Sequence, residues 1–456
     1  MQDVVAVVLA AGKGTRMISD LPKVMHRAGG KYLVQHVLDT LSAAGVSRVV
    51  LVVGHGANLV QEGLGDGYRY VRQAEQLGTG HAVAQVEKAV DPAERNVLVV
   101  CGDMPLLKSS TLQKLIEQHR QREAAATVLT ARVRNPVGYG RVLRDPHNHL
   151  QRIVEEKDAT AGEKEIEEVN TGTYCFDRDS LFSALKKIEP HNVQQEYYLT
   201  DVLPILQGKG LRVEILEGAE EEEALGVNSR QQLAEVEQIL RQRTLQRIMV
   251  EGVTIVDPGT TFIDAEVSIA PDTIIYPFTF LEGKTRIGGK CELGPMTRIV
   301  NSVLGNGIRV QNSIILDSQI EDDCNIGPFA YLRPETYLAR GVKVGDFVEL
   351  KKSRVGENSK IPHLSYVGDA IVGVGVNIGC GTITCNYDGV NKHPTIIEDG
   401  AFIGSNSNLV APIKIGAYAT TGAGSTITKD VPDQGLAVER SKQKIISNWS
   451  QRRGKE

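Results

Sequence analysis

The chain has 456 residues, 41% hydrophobic and 23% charged, with a formal net charge of -5. That length allows two or three domains, each with its own core, and the slightly acidic balance argues against a nucleic-acid partner. No apolar run reaches the roughly 18 residues that span a bilayer, so no membrane insertion is expected.

The first apolar run, Val4–Leu9, follows an acidic residue and has no basic stretch before it. It reads as a buried strand rather than a signal peptide, and a cytoplasmic protein is expected. A helix over Tyr32–Ala44, strands over Val49–Val53 and Val97–Val100, a helix over Thr111–Arg122 and a strand over Ala126–Thr130 follow. Strands alternating with helices predict βαβ units and a mainly parallel sheet, a Rossmann-like α/β domain. The six cysteines include no C-x-x-C pair and read as free thiols of a reducing compartment. Cys380 and Cys385 are close, but their spacing matches no common zinc pattern.

The first strand runs into Leu9-Ala10-Ala11-Gly12-Lys13-Gly14-Thr15-Arg16-Met17, followed by Leu21-Pro22-Lys23. Small residues let backbone N–H groups approach a phosphate chain, and Arg16 and Lys23 supply countercharge. The string is neither a Walker A loop nor a full dinucleotide fingerprint. Gln73-Ala-Glu-Gln-Leu-Gly78-Thr79-Gly-His-Ala comes next. Asp103 lies just past a strand, where parallel sheets bind ligands; a turn or N-cap acid is the alternative. Gly140, Glu155 and Asn170, read singly, could each be an ordinary turn residue.

An acidic run, Glu220–Glu223, precedes Ser229, an N-cap candidate ahead of Leu233, Val236, Ile239, Leu240 and Leu245 at helical spacing. This predicts a linker helix over 229–250, between a domain at 1–228 and another at 251–456. A last helix packed on the first domain is the alternative.

The second half repeats every six residues. Ile287-Gly288, Leu293-Gly294, Ile326-Gly327, Val344-Gly345, Val355-Gly356, Val367-Gly368, Ile378-Gly379, Ile403-Gly404 and Ile415-Gly416 mark the pattern, with one-residue slips. Each hexapeptide makes a strand and a turn, three make a triangular coil, and the aliphatic residue points inward. Roughly nine such coils are expected over 264–430. The repeat breaks at Cys380–Thr395, and an irregular loop on a rigid scaffold is a place for function; a tolerated surface insertion is the alternative. About one coil upstream, Lys360-Ile-Pro-His363-Leu-Ser-Tyr366 supplies the only His within the regular repeats.

These motifs carry a resemblance. The glycine string with Pro22-Lys23 resembles the signature of sugar-1-phosphate nucleotidylyltransferases, and the hexapeptides resemble the left-handed parallel β-helix of acyltransferases. With Phe347-Val-Glu-Leu-Lys-Lys352, His363-Leu-Ser-Tyr366 and Thr382-Ile-Thr-Cys-Asn-Tyr-Asp-Gly389 in order, nearly the whole chain resembles the bacterial bifunctional N-acetylglucosamine-1-phosphate uridyltransferase/glucosamine-1-phosphate acetyltransferase family. The resemblance implies acetyl transfer from acetyl-CoA to glucosamine 1-phosphate, then uridylyl transfer from UTP, giving UDP-N-acetylglucosamine for peptidoglycan and lipopolysaccharide.

For the first domain it implies nucleotide and sugar contacts from Leu9, Ala10, Ala11, Gly12, Lys23, Gln73, Gly78, Thr79, Asp103, Gly140, Glu155, Asn170 and Asn228. Arg16 and Lys23 would be catalytic, and Asp103 and Asn228 would hold Mg²⁺. For the second it implies His363 as general base and Arg333, Lys351, Tyr366 and Asn377 on the sugar phosphate. Cys380, Asn386, Tyr387, Ser405, Ala423 and Arg440 would line the acetyl-CoA site. Lys392 would reach a neighbouring subunit of a homotrimer. Ile361-Pro362 and Cys380 depart from the family's usual Ala-Gly and Ala. Two other readings are a monofunctional nucleotidylyltransferase with a β-helix for assembly, and a scaffold with a degenerate nucleotide-binding domain.

Overall fold

A computed structural model describes residues 3–452. The chain divides into two compact units, Met1–Leu240 and Arg241–Glu456.

The first unit is built on a nine-stranded sheet. Its central path runs Val213–Ala219, Ala126–Arg132, Glu168–Asp177, Asn96–Cys101, Val4–Ala10, Arg48–Val53, Arg69–Arg72. Neighbours are parallel except Glu168–Asp177, which runs antiparallel to both strands beside it. A hairpin of Arg141–Arg144 and Leu150–Val154 hangs from that strand. Val4–Ala10 is apolar throughout because both its faces are covered. Val4, Ala6 and Val8 pack with Val34, Leu38, Leu112 and Ile116 of the helices Leu33–Ala43 and Ser109–Gln121. Val5 and Val7 pack with Val83, Phe182 and Leu203 of three helices on the other side. Leu9 pairs with Cys101 and Ala10 with Val53, so three strands end together at one carboxyl edge.

A helix spans Arg230–Val250, and the division between units falls within it. Leu233, Val236 and Leu240 pack with Met17, Ala28 and Leu33 of the first unit, whereas Leu245 and Ile248 belong to the core of the second.

The second unit is a prism of three parallel sheets. The first face has eleven strands, from Thr254–Ile255 to Leu436–Ala437. The second has ten, from Phe262–Ile263 to Thr426–Ile427. The third has nine, from Ser268–Ile269 to Ile413–Ile415. Each coil visits the faces in turn, and inward aliphatics stack in columns such as Ile255, Ile275, Leu293, Val310, Ile326 and Val344. The coils begin earlier than the expected 264, because Ile255 and Ile263 already point inward, without a following glycine. They share another mark. A buried Thr or Ser stands two residues before most inward aliphatics, as at Thr273, Thr279, Ser313 and Ser353, and bonds a nearby carbonyl at the corner.

Glycine at the strand ends is required by contact between coils. A Cβ on Gly345 would lie 1.8 Å from the Pro362 carbonyl oxygen of the next coil. Gly345→Ala is therefore expected to lower the denaturation midpoint, at a cost above about 2 kcal/mol; an unchanged midpoint in urea would contradict this packing.

At the corner between first and second faces, Phe278, Met296, Phe329, Phe347 and Leu364 adopt left-handed backbone conformations and expose their side chains. Bulky residues rarely do this. The rings of Phe329 and Phe347 stack with centroids 5.3 Å apart. The excursion loop is ordered by Asp388, whose Oδ1 accepts from Val390 and Asn391 N–H and whose Oδ2 meets the His393 ring at 2.7 Å. The coil holding it is longer: Lys360 pairs with Asn377, but Asn377 pairs with Phe402.

Candidate active sites

In the first unit, Gly14 turns the chain after its strand with φ 60°. A Cβ there would come within 2.8 Å of Lys23 Cβ, so glycine lets these two segments meet. Lys23 Nζ donates to Asn228 Oδ1 at 2.9 Å and forms a short ion pair with Asp103 Oδ2. Asp103 lies two residues past the strand Asn96–Cys101, and its carbonyl accepts from Val227 N–H at 2.9 Å, holding the Asn228 segment in place. Chain segments 80 and 205 residues from Lys23 thus converge on one ammonium group.

Two adjoining cavities share Leu9, Thr79, Cys101 and Asp103 as walls. One, about 460 Å³, is also lined by Ala10, Ala11, Gly12, Lys23, Gln73 and Gly78. The other, about 250 Å³, is lined by Arg16, Gly140, Glu155, Asn170 and Asn228. Every candidate residue of the first domain therefore faces one cavity or both. Gly78 has φ 111°, and a Cβ on it would meet the Tyr197 carbonyl oxygen at 2.5 Å. Asn170 opens a bulge in Glu168–Asp177; its Oδ1 accepts from Gly172 N–H at 3.1 Å and its Nδ2 donates to Tyr174 at 2.7 Å. Burial pushes the Cys101 thiol up to about 12, keeping it neutral between the cavities.

In the second unit, Asp346 and His363 are register partners on adjacent coils, and His363 Nδ1 lies 2.5 Å from Asp346 Oδ1. That bond holds the Asp346 carboxyl below its usual range. An ionised carboxylate only accepts, so Nδ1 carries the proton and Nε2 presents its lone pair outward. Both side chains are more than a third exposed. Lys360 pairs with Asn377, so three residues on, His363 stands beside Cys380. Ser405 and Ala423 follow on the next coils, where Gly379 and Gly404 abut Ser405 N and Ala423 N. Arg440 Cδ reaches the neighbourhood of Gly424.

A second cluster lies on the second face. Lys351 Nζ is 3.5 Å from Asp369 Oδ2. Asn386 Nδ2 donates to Asp369 and, at 3.4 Å, to Tyr366. Lys392 meets Lys351, and the hydrogen-bonding contact between the two amines, with the Lys351 charge second, lowers the basicity of Lys392. Arg333 Nη1 donates to Glu349 at 2.9 Å. Asn377 lies instead on the first face with His363, and Tyr387 is exposed on the excursion loop. The candidates thus fall into two groups on different faces. A cavity of about 760 Å³ is lined by Tyr337, Arg354, Asp369 and Lys392 and includes neither His363 nor Arg333.

The family model described as MobA-like NTP transferase domain matches residues 6–168, and that of the bacterial transferase hexapeptide (six repeats) matches residues 394–429. Bifunctional protein GlmU of Heliobacterium modesticaldum is 56% identical over 450 residues, which cover 99% of this chain and 98% of that protein. The chain belongs to the GlmU family. Bifunctional protein GlmU of Syntrophomonas wolfei is 54% identical over 442 residues, covering 97% of this chain and 98% of the relative. Like them, this GlmU chain is a bifunctional transferase, with a Rossmann-like nucleotidyltransferase unit followed by an acetyltransferase unit on a left-handed hexapeptide β-helix. A monofunctional enzyme whose β-helix only assembles it is not favoured.

Two features of this GlmU were not singled out from sequence. One is Asp346 as partner of His363. The other is the state of Glu155, which burial, with Asp158, Asp201 and Glu196 nearby, pushes up to about 7. Its folded value exceeds its ordinary one, so folding favours the protonated form. Stability is then full at low pH and falls as pH rises through about 7. Glu155→Gln is expected to flatten that decline; thermal unfolding at pH 6 and pH 8 measures it, and equal slopes for both proteins would contradict it. No helix among the described residues is long and apolar enough to cross a membrane.

Proposed function

We propose that the β-helix transfers acetyl from acetyl-CoA to glucosamine 1-phosphate, and that the α/β unit then couples N-acetylglucosamine 1-phosphate to UTP. The products are CoA, pyrophosphate and UDP-N-acetylglucosamine, a precursor for peptidoglycan and lipopolysaccharide made in the cytoplasm. The observation that carries this reading is the His363–Asp346 pair. His363 Nε2 takes the proton of the sugar amine as its nitrogen bonds to the acetyl carbon and the C–S bond of the thioester breaks. Asp346 fixes the tautomer and stabilises the imidazolium. Cys380, Asn386, Tyr387, Ser405, Ala423 and Arg440 form the acetyl-CoA strip; Arg333, Lys351, Tyr366 and Asn377 take the sugar phosphate.

These groups lie on two faces of one prism, so a complete site draws on a neighbouring copy. A homotrimer through the β-helix supplies one, with Lys392 of the excursion loop reaching across. The exposed apolar corner of Phe278, Met296, Phe329, Phe347 and Leu364 supports burial between copies.

In the first unit, Gly12 and Gly14 bring backbone close to the triphosphate while Arg16 and Lys23 neutralise it. Gln73, Gly78 and Thr79 take the base, and Gly140, Glu155 and Asn170 the sugar. Asp103 and Asn228 fit Mg²⁺: both present hard oxygen atoms, and both already hold one cation, the Lys23 ammonium. The metal, with phosphates completing its shell, would polarise the α-phosphoryl group. No protein nucleophile is needed, and the chain's groups position the reactants.

Purified protein is tested for CoA release with glucosamine 1-phosphate and acetyl-CoA, and for pyrophosphate release with N-acetylglucosamine 1-phosphate and UTP. Absence of CoA release removes the acetyl-transfer step, and absence of pyrophosphate release removes the uridylyl step.

A further inference from the structure

Gln73 is almost wholly buried in the wall of the 460 Å³ cavity. Its Nε2 lies 3.1 Å from the Gly78 carbonyl oxygen and 3.0 Å from His81 Nδ1. A carbonyl only accepts, so the atom facing it is the NH₂ group. The same nitrogen then donates its second hydrogen to His81, whose Nδ1 must be the acceptor. Both hydrogens of the amide are used. No donor among the described residues reaches Gln73 Oε1, and that oxygen is not sealed from solvent, so the cavity side is where it opens. The exposed Gln85 places its Nε2 3.1 Å from His81 Nε2 and donates to the His81 carbonyl oxygen at 3.3 Å; turned over, its amide would give up that bond and accept the remaining ring proton.

We propose that His81 is a positioning residue for base selection: by accepting from Gln73 it holds the amide oxygen toward the cavity, so that the site takes a nucleobase presenting a ring N–H. Uracil has such a donor, whereas the equivalent ring nitrogen of cytosine is an acceptor and faces another acceptor. A mismatch of this kind leaves two buried polar groups unpaired, which is how hydrogen-bonding sites reject near-isosteres. The inference rests on the reading of this cavity as the UTP site.

The test is steady-state pyrophosphate release by the full chain with UTP and with CTP, comparing His81→Leu, His81→Asn and Gln73→Leu. The Asn side chain can set its amide oxygen near the place of the imidazole Nδ1. His81→Leu is expected to raise KM for UTP about tenfold and to narrow the UTP-over-CTP preference by a similar factor, with kcat within about threefold. His81→Asn is expected to bring both back to within about threefold of the parent. A parent-like far-ultraviolet circular dichroism spectrum and thermal midpoint report a folded first unit in each case. The proposal is overturned if His81→Leu keeps the parent KM and base preference, or if His81→Asn is as impaired as His81→Leu. A parent-like KM for UTP in Gln73→Leu overturns instead the placing of the base in this cavity.

Discussion

His363→Ala is expected to lower CoA release by about 10²- to 10⁴-fold, the usual worth of a positioned general base. Pyrophosphate release from N-acetylglucosamine 1-phosphate and UTP should stay at the parent rate, because His363 belongs to the second unit. His363 is about half exposed, so its loss should leave the prism folded. Asp346→Asn is the more informative companion. An amide can donate to Nδ1 as well as accept from it, so the ring is no longer held with Nε2 unprotonated. It should lose activity with a changed pH profile, whereas removal of a merely structural contact would leave the profile alone. A fall of less than tenfold in His363→Ala would point to a different base.

Asp103→Ala is expected to cut pyrophosphate release by at least about a hundredfold while CoA release continues, since it removes the anionic member of the proposed metal site and with it several kcal/mol of charge stabilisation. Lys23→Met separates two roles. The Lys23 ammonium sits on Asp103 and Asn228, so it competes with any cation for those oxygens. Without it, Mn²⁺ should bind the nucleotide-free protein more tightly, measured by calorimetric titration. Turnover should nevertheless fall, because the triphosphate loses a countercharge. Unchanged Mn²⁺ affinity in Lys23→Met, or undiminished affinity in Asp103→Ala, would contradict a metal held by these oxygens.

Sequence was most informative where one residue does one repeated job. Inward aliphatics had to recur every hexapeptide because nothing else fills the prism, so the register from Ile287 onward could be read directly. The first strands, Thr254–Ile255 and Phe262–Ile263, escaped because their corners lack the Ile-Gly or Leu-Gly pair; the buried Thr261 two residues ahead of Ile263 is a mark shared with many later coils. In the first unit, the glycine string and Asp103 stand next to strand ends and were legible from that position. The antiparallel strand Glu168–Asp177 was not, since its polar, glycine-containing first half interrupts the apolar pattern that marks a buried strand. Asp346 was missed because it stands 17 residues before His363, a spacing that means contact only once the coil length is taken as the unit of distance. The state of Glu155 depends on acids contributed by separate segments, Asp158, Glu196 and Asp201, and no local motif announces such a meeting.

The prism has a consequence for how the protein is made. Every strand in it pairs with the one a single coil later, and even the long coil containing the excursion loop resumes at once, with Ala370 beside Thr395. Nothing early in the unit waits for anything late. A nascent chain can therefore lay down coils in the order it leaves the ribosome, each templated by the edge just completed. Cooperativity should be short-ranged, with amide protection highest in the middle coils and fading toward the last strands, Ile413–Ile415, Thr426–Ile427 and Leu436–Ala437. The proposed acetyl-CoA strip runs up those same late coils to Ala423, which makes the donor side of the proposed second site both the last part to be built and the first to fray.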